Sequence, residues 1–435
     1  MINNYEVGFL LAMYTAIIAS YLLHITNYKK HILVNFIFTT LVSFFAFGVR
    51  HLLILFLTTF LNLILLVFLR NRKFPQIFVI FNIFLSYVYQ IFYRKLYNIG
   101  QMYDMSGMFF LYMLKMCYIA DSWNGNLVDA FNYLFNVSNF LFGPIINFSE
   151  FIFNFKNKEL LNDKVENKTE TSGKNEKEIK KEKGENMVKY FNGPEDKKLY
   201  SICVLKQHLC FFSFFILTKS FDLDRKMFEA KNALVTLSFV VLKCLQYRSI
   251  LYFCWTSSAF CFILLNFRVN NFNVLRVELP NNIQEISKNW NIATHRFFKI
   301  YFFNPLINKT KNKKISALLT YLFSALMHSF DIKTLCFFVG MGFSSPFFDK
   351  ALTILPFIKE SIVSRQMITI LFTSFLGMAK LSNTFGETLK IWRKLCFYGI
   401  WMYLAIVFLF LFKTLKETAT FKILFQAKPT VKNEQ

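Results

Sequence analysis

Apolar runs of membrane length recur through almost all of this 435-residue chain, at 8–25, 32–49, 52–69, 74–93, 201–217, 234–245, 249–267, 315–330, 367–379 and 396–412. About 20 helical residues cross a hydrocarbon core of roughly 30 Å. Apolar side chains make up 55% of the sequence and Phe alone occurs 58 times, a composition that a soluble globular domain does not need. Shorter or polar-interrupted runs around 107–120, 129–147 and 334–358 leave the count at ten or eleven. The expected fold class is therefore all-α, a polytopic transmembrane helical bundle of about 11 spans.

The first run follows MINNYE, with no basic region before it and no small-residue cleavage site after it. A retained first span is expected rather than a signal peptide, with the mature chain starting near Met1. The basic connections NYKK (27–30) and RNRK (70–73) are two links apart and so share a face, which the positive-inside bias makes cytosolic. The N terminus is then luminal, and a cytosolic basic tail after Phe412 needs an odd number of spans, which favours eleven. The net charge of +24 is dispersed among the connections, where it sets topology and meets anionic lipid heads. It is not gathered on one face as nucleic-acid binding would need.

From 156 to 198 the sequence is rich in Lys, Glu and Asn and almost free of aromatic residues until Tyr190, so it buries too little to fold alone. The organisation expected is an N-terminal transmembrane half (1–153), a disordered charged cytosolic loop (154–200), a C-terminal transmembrane half with the motifs (201–413) and a cytosolic tail (414–435). An inert solvated insertion is the preferred reading of the loop over a regulatory one. The eight cysteines form no Cys-x-x-Cys pair and mostly lie inside apolar runs, so neither a disulfide framework nor a metal site is expected. Walker and Gly-x-Gly-x-x-Gly loops are absent from the sequence, and the sequon at Asn136–Ser138 falls at membrane depth.

Read as a helix, LTYLFSALMHSFD (319–331) puts Tyr321, Ser324, Ala325 and His328 on one stripe and Phe323, Leu326, Met327 and Phe330 on the other. A His at membrane depth costs several kcal/mol unless paired or wet, which makes His328 a functional candidate. It could equally hydrogen-bond a neighbouring helix and hold the bundle together. His24, His31 and His51 sit at or near span ends, and His208 near the start of one. Before the aromatic run NWNIATHRFFKIYFF (289–303), Pro280 is a stop, after which Ile283, Ile286 and Trp290 oppose Asn282, Gln284, Glu285 and Lys288. That pattern is a short amphipathic helix in the interface, delivering Trp290 and Asn291 to the membrane border. His295 shares a helical face with Asn291, and a water-facing interfacial role is preferred for it over a catalytic one.

The Trp-Asn pair, the aromatic and basic stretch after it, and the later Ser-Ala-Leu-x-His resemble the membrane-bound O-acyltransferases, whose two signature residues correspond to Asn291 and His328. VELPNNIQEISKNWN (277–291), the aromatic spacing through Tyr301, LTYLFSALMHSF, FGPIINFSEF (142–151) and the Met-rich MSGMFFLYMLKM (105–116) are closest to the branch that acylates a serine of secreted Wnt-type proteins. The resemblance runs from about residue 100 to the end. The chain departs from the family pattern at Ser329, where Gly is usual after the His, at Phe297, where Trp is usual, and in its long charged insertion.

The resemblance implies acyl transfer from a thioester to an alcohol in the endoplasmic reticulum membrane. The donor would be a fatty acyl-CoA, palmitoleoyl-CoA, with no separate cofactor, and the acceptor a serine of a Wnt-type protein. A serine hydroxyl is a poor nucleophile, and a His with an unperturbed pKa of about 6.5 suits removal of its proton. His328 takes that role, and the Asn291 amide is placed at the thioester carbonyl. Trp290, Thr294, Phe297, Tyr301, Tyr321, Ser324 and Ser329 are the implied substrate-binding residues. Arg296, Lys299 and the Lys311 to Lys314 cluster are assigned to the coenzyme A head. Two alternatives stand beside this: a lysophospholipid acyltransferase with the same Asn and His, and a transporter or non-catalytic scaffold in which His328 relays protons or packs. The latter would be expected to show matched broken helices in two halves, and the sequence shows no such repeat.

Overall fold

The computed structural model describes residues 4–69, 75–93, 106–156, 188–329, 331–352, 354 and 356–417. The RNRK connection, Phe330, most of the charged loop and most of the tail lie outside the described residues.

Helices α1 (Asn4–Ile25) and α2 (Tyr28–Phe47) pack closely at Gly8, where a Cβ would come within 2.5 Å of the Phe45 carbonyl oxygen. Gly48, at φ +83°, adopts the left-handed conformation that starts α3 (Val49–Phe68) without a break longer than itself. Asn62 of α3 and Asn82 of α4 (Pro75–Val88) exchange amide hydrogen bonds of 3.0 and 2.7 Å, which satisfies two polar groups deep in the bundle. Helix α5 (Ser106–Ser122) is buried on nearly every side. It is followed by α6 (Leu127–Leu134), capped by the Asn126 side chain, and by α7 (Phe148–Lys156).

Strand β1 (Val188–Tyr190) pairs antiparallel with β2 (Phe267–Val269), Lys189 opposite Arg268. Between them come α8 (Pro194–Lys219), α9 (Leu223–Glu229) and α10 (Ala233–Leu264). After β2 the chain forms three short helices, α11 (Val274–Glu278), α12 (Ile283–Asn289) and α13 (Ile292–Phe298), the last running through a π turn into α14 (Asn304–Thr310). The remaining helices are α15 (Lys313–His328), α16 (Ile332–Leu352), α17 (Pro356–Glu360), α18 (Ile362–Leu381), α19 (Phe385–Lys394) and α20 (Tyr398–Glu417).

The expected helical membrane fold is what the chain adopts, but the span count is lower. Among the described residues six helices, α1, α2, α3, α8, α10 and α18, are long and apolar enough to cross a membrane, and α19 with α20 make a seventh if that pair, bent by 77°, is one span. Cys396 and Phe397, at φ 51° and 52°, form the bend. Four features contribute to the difference from eleven, the first being that the run at 315–330 forms α15, a helix of only 16 residues. The runs at 234–245 and 249–267 are one 32-residue helix, α10, which continues through Gln246 and Arg248. The run at 129–147 breaks into α6, a single 3-10 turn and a non-helical stretch with a cis Gly143–Pro144 bond. Helices α4 and α16 have apolar parts of only Pro75–Ile91 and Ile332–Ser345.

The charged loop also ends earlier than expected. Val188 is buried against Val269, Tyr190 packs on Phe267 with ring centroids 5.1 Å apart, and Pro194 opens α8 with Glu195 and Asp196 in its first turn. These apolar contacts and the favourable helix start order 188–200, and residues 157–187 of the loop lie outside the described residues.

Buried residues from the N-terminal and C-terminal parts of the chain belong to one core. Ser20 and Ser138 hydroxyls lie 2.9 Å apart, and the Ser258 hydroxyl donates to the Ser138 carbonyl at 2.7 Å, joining α1 and α10 across the turn after α6. In the C-terminal part Gly399 lets α20 approach the Phe375 ring so closely that a Cβ there would overlap it. That ring is itself held against Trp392, with centroids 4.5 Å apart. Gly399→Ala is expected to destabilise the protein by about 1–3 kcal/mol through overpacking, read as a lower melting temperature in detergent.

Candidate active site

The segment carrying Trp290 and Asn291 is a break between two short helices whose ends are fixed locally. Asn282 caps α12 by accepting from the Glu285 amide at 2.8 Å, and Glu285 returns the bond, accepting from the Asn281 amide at 2.9 Å. Asn291 caps α13: its Oδ1 accepts from the Thr294 amide at 3.1 Å and its carbonyl from the His295 amide at 2.9 Å. With Oδ1 turned onto the helix, the Asn291 Nδ2 group points away from it, and among the described residues it has no protein partner.

Trp290 sets the position of this break. Its ring packs edge-on against Tyr252 and Trp255 of α10, with centroids 5.5 and 5.1 Å away. Tyr252 donates to the Glu278 carboxylate at 2.7 Å, and Arg248 donates to the same carboxylate twice, at 2.8 and 2.6 Å. An Arg that looks like a break in an apolar run thus anchors α11 to the long helix, and through Tyr252 it supports Trp290.

His328 is the last residue of α15. Its ring lies between Phe110 of α5 and Phe338 of α16, stacked on both, with centroids 4.7 and 4.9 Å away and planes within 15° and 16°. Among the described residues no protein group hydrogen-bonds its imidazole, so the ring edge is left for something else. Ser324 and Ala325 are buried as the stripe predicts. Met327 corrects it: placed on the opposite face by periodicity, it is only 3% exposed, because α5 and the π turn cover that side of α15 as well.

Two contacts join the segments. The Ser287 hydroxyl of α12 and the Tyr321 hydroxyl of α15 are 2.5 Å apart, and Phe302 packs on Phe323 with centroids 5.1 Å apart. Gly342 makes room for the first contact, since a Cβ there would come within 2.8 Å of the Tyr321 side chain. His328 is five and seven residues beyond these bridges, about 8–10 Å along the helix axis. Among the described residues no hydrogen bond joins Asn291 to His328.

The other residues singled out by sequence divide into those near this site and those committed elsewhere. Thr294 lies in the first turn of α13, and Ser329 ends α15, its hydroxyl accepting from the Asp331 amide at 3.1 Å. Phe297, expected at the substrate, is fully buried, packed on Tyr118 and Tyr301 with centroids 5.8 and 5.0 Å away. Tyr301 is likewise buried and donates to Asp121 at 3.2 Å. Arg296, expected at a phosphate, lies 3.8 Å from the Glu150 carboxylate with its side chain 17% exposed, and the other Glu150 oxygen accepts from the Val188 amide at 2.8 Å. It ties α13 to α7 and β1. Lys299 and Lys311 to Lys314 are exposed. His295 is half-buried, and its burial, with the Lys299 and Lys288 ammonium groups beside it, holds its pKa below the usual histidine value.

Phe110, Phe338 and Ser287 were not singled out by sequence. Phe110 belongs to the Met-rich stretch noted there, but nothing local in any of the three marks them as neighbours of the His or Asn segment. A separate cavity of about 330 Å³ lies between α8, α10 and the connection after β2, lined by residues that include Tyr200, Trp255, Arg268, Asn271 and Phe272.

No curated protein matches the chain. A family model described as MBOAT, membrane-bound O-acyltransferase family, matches residues 120–385, more than half of the sequence and a stretch that contains both Asn291 and His328. The chain belongs to the membrane-bound O-acyltransferase family.

Proposed function

We propose that this membrane acyltransferase is a protein-serine O-palmitoleoyltransferase of the Porcupine kind, acting in the endoplasmic reticulum membrane on a secreted Wnt-type protein, with palmitoleoyl-CoA as donor. The observation that carries the reading of the site is the Ser287–Tyr321 contact, which fastens the Trp-Asn segment to the His helix. The resemblance of 277–291 and 319–330 to that branch supports the acceptor and the acyl chain.

In the proposed reaction the acceptor serine oxygen attacks the thioester carbonyl while His328 takes its proton. The oxyanion that forms is stabilised by the outward Asn291 Nδ2. The carbon–sulfur bond then breaks, the His328 proton goes to the departing coenzyme A sulfur, and the serine ester remains. Phe110 and Phe338 orient the imidazole without using its nitrogens. Thr294, Tyr321, Ser324 and Ser329 are the residues left near the substrates, and the exposed Lys299, Lys311 and Lys313 are assigned to the coenzyme A phosphates, with Lys314 over the Phe410 ring beside them. Arg296 does not, because Glu150 holds it.

The test incubates purified protein with labelled palmitoleoyl-CoA and either a disulfide-bonded Wnt hairpin peptide or lysophosphatidylinositol. Label is expected on the peptide serine. Label on the lysolipid alone would make the chain a lysophospholipid acyltransferase of the same family, and label on neither would favour a scaffold or transporter. In the same assay Asn291→Ala is expected to lower kcat by about 10²-fold, the usual cost of losing one donor to an oxyanion.

A further inference from the structure

The first turn of α13 exposes backbone N–H groups that the helix cannot satisfy itself, and two asparagines take those of Ile292, Ala293 and Thr294. The main-chain oxygen of Asn271 accepts from the Ile292 amide at 2.7 Å, and its side-chain Oδ1 from the Ala293 amide at 3.2 Å. The Asn291 side chain takes the third, from Thr294, while its carbonyl accepts the first bond of the helix itself, from His295. Asn271 lies in the connection after β2, far from Asn291 in sequence, and is only 4% exposed. Its Nδ2 is buried without a hydrogen-bond partner among the described residues. The fold therefore uses the acceptor half of this amide and leaves the donor half idle, an arrangement that an apolar side chain of similar size would avoid. A second strut runs alongside, with the Asn273 amide donating to the Asn289 carbonyl at 3.0 Å.

We propose that Asn271 is a positioning residue for acyl transfer: by holding the Ala293 N–H, it leaves Asn291 Oδ1 to Thr294 alone and so aims Asn291 Nδ2 outward at the thioester carbonyl. This rests on the role proposed for Asn291. Without the Asn271 side chain, the Ala293 N–H is left beside the Asn291 carboxamide, and Oδ1 is the acceptor within its reach. Sharing Oδ1 between Ala293 and Thr294 rotates the amide plane and swings Nδ2 away from its direction. The loss falls on the transition state, not on donor binding, because the ground-state carbonyl gains little from that donor.

The test is a double-mutant cycle on the full-length protein in detergent or nanodiscs, with Asn271→Ala, Asn291→Ala and both together. Asn271→Ala is expected to lower kcat about tenfold with KM for palmitoleoyl-CoA changed less than about twofold, and to cost less than about twofold once Asn291 is already Ala. Asn271→Asp keeps an acceptor for the Ala293 amide and should recover most of the lost rate. Hydrogen exchange at Ile292 to Thr294 should speed up in the Ala variant and less in the Asp variant. If Asn271→Ala does not fold, Asn271→Ser, whose hydroxyl is too short to replace Oδ1, takes its place in the cycle. An equal loss in both backgrounds, a change in KM alone, or an Asp variant no better than Ala would overturn the positioning role. Full activity in Asn291→Ala alone would instead remove the reading on which it rests, and the inference with it.

Discussion

His328→Ala is expected to lower kcat for acyl transfer by about 10³-fold, within the range that loss of a general base costs, with little change in KM for the donor. Removing the ring also removes two aromatic stacks, each contributing about 0.5–1.5 kcal/mol, so some loss of stability accompanies the Ala variant. His328→Phe separates the two effects. It keeps the sandwich between Phe110 and Phe338 while removing both nitrogens, so it should match the parent in melting temperature and match the Ala variant in rate. A His that merely glued the bundle would give the opposite result, with an active Phe variant. The check is single-turnover transfer from palmitoleoyl-CoA, measured beside thermal unfolding in the same detergent.

Glu278→Ala is expected to be the most destabilising of the substitutions proposed here, by about 3 kcal/mol, because removing one partner of a largely buried pair strands the other. Arg248 makes both of its bonds to this carboxylate and Tyr252 makes a third, and the two charged side chains are 21% and 20% exposed. Without the carboxylate the guanidinium is left within the span of α10, where an unpaired charge is costly. Tyr252 loses the bond that fixes its ring against Trp290, so activity should fall with stability. Glu278→Gln retains a hydrogen-bond acceptor and should lose less of both. Melting temperature and the fraction recovered as a single gel-filtration peak are the measurements.

The membrane class and the helical fold were legible because residue type alone decides them: a chain with 58 Phe and repeated apolar runs has to be a helical bundle. The division into spans was less legible. Arg248 reads as the end of a span until its partner Glu278 is seen, and that partner comes from another element. The same holds for Arg296, which sequence assigned to a phosphate because its charge is visible and Glu150 beside it is not. Residues 188–200 read as loop because Lys and Glu dominate the stretch, whereas the pairing of Val188 with Val269 is a long-range contact that composition does not carry. Within the candidate site, Trp290, Asn291 and His328 were singled out by motif. Their settings were not, since the stacking of Phe110 and Phe338 on His328 depends on three helices meeting, and the hold of Asn271 on α13 depends on a connection with no motif of its own.

The central claim is that Asn291 and His328 serve one thioester. It is tested most directly by a structure of the protein with a non-hydrolysable thioether analogue of palmitoleoyl-CoA, with the sulfur located in the density. The account predicts the analogue's carbonyl-equivalent carbon about 3–4 Å from the Asn291 Nδ2 group, with the His328 ring edge within hydrogen-bond reach of the attacking side, directly or through one water. A sulfur placed beside only one of the two residues, with the other beyond the reach of a bridging water, would contradict it.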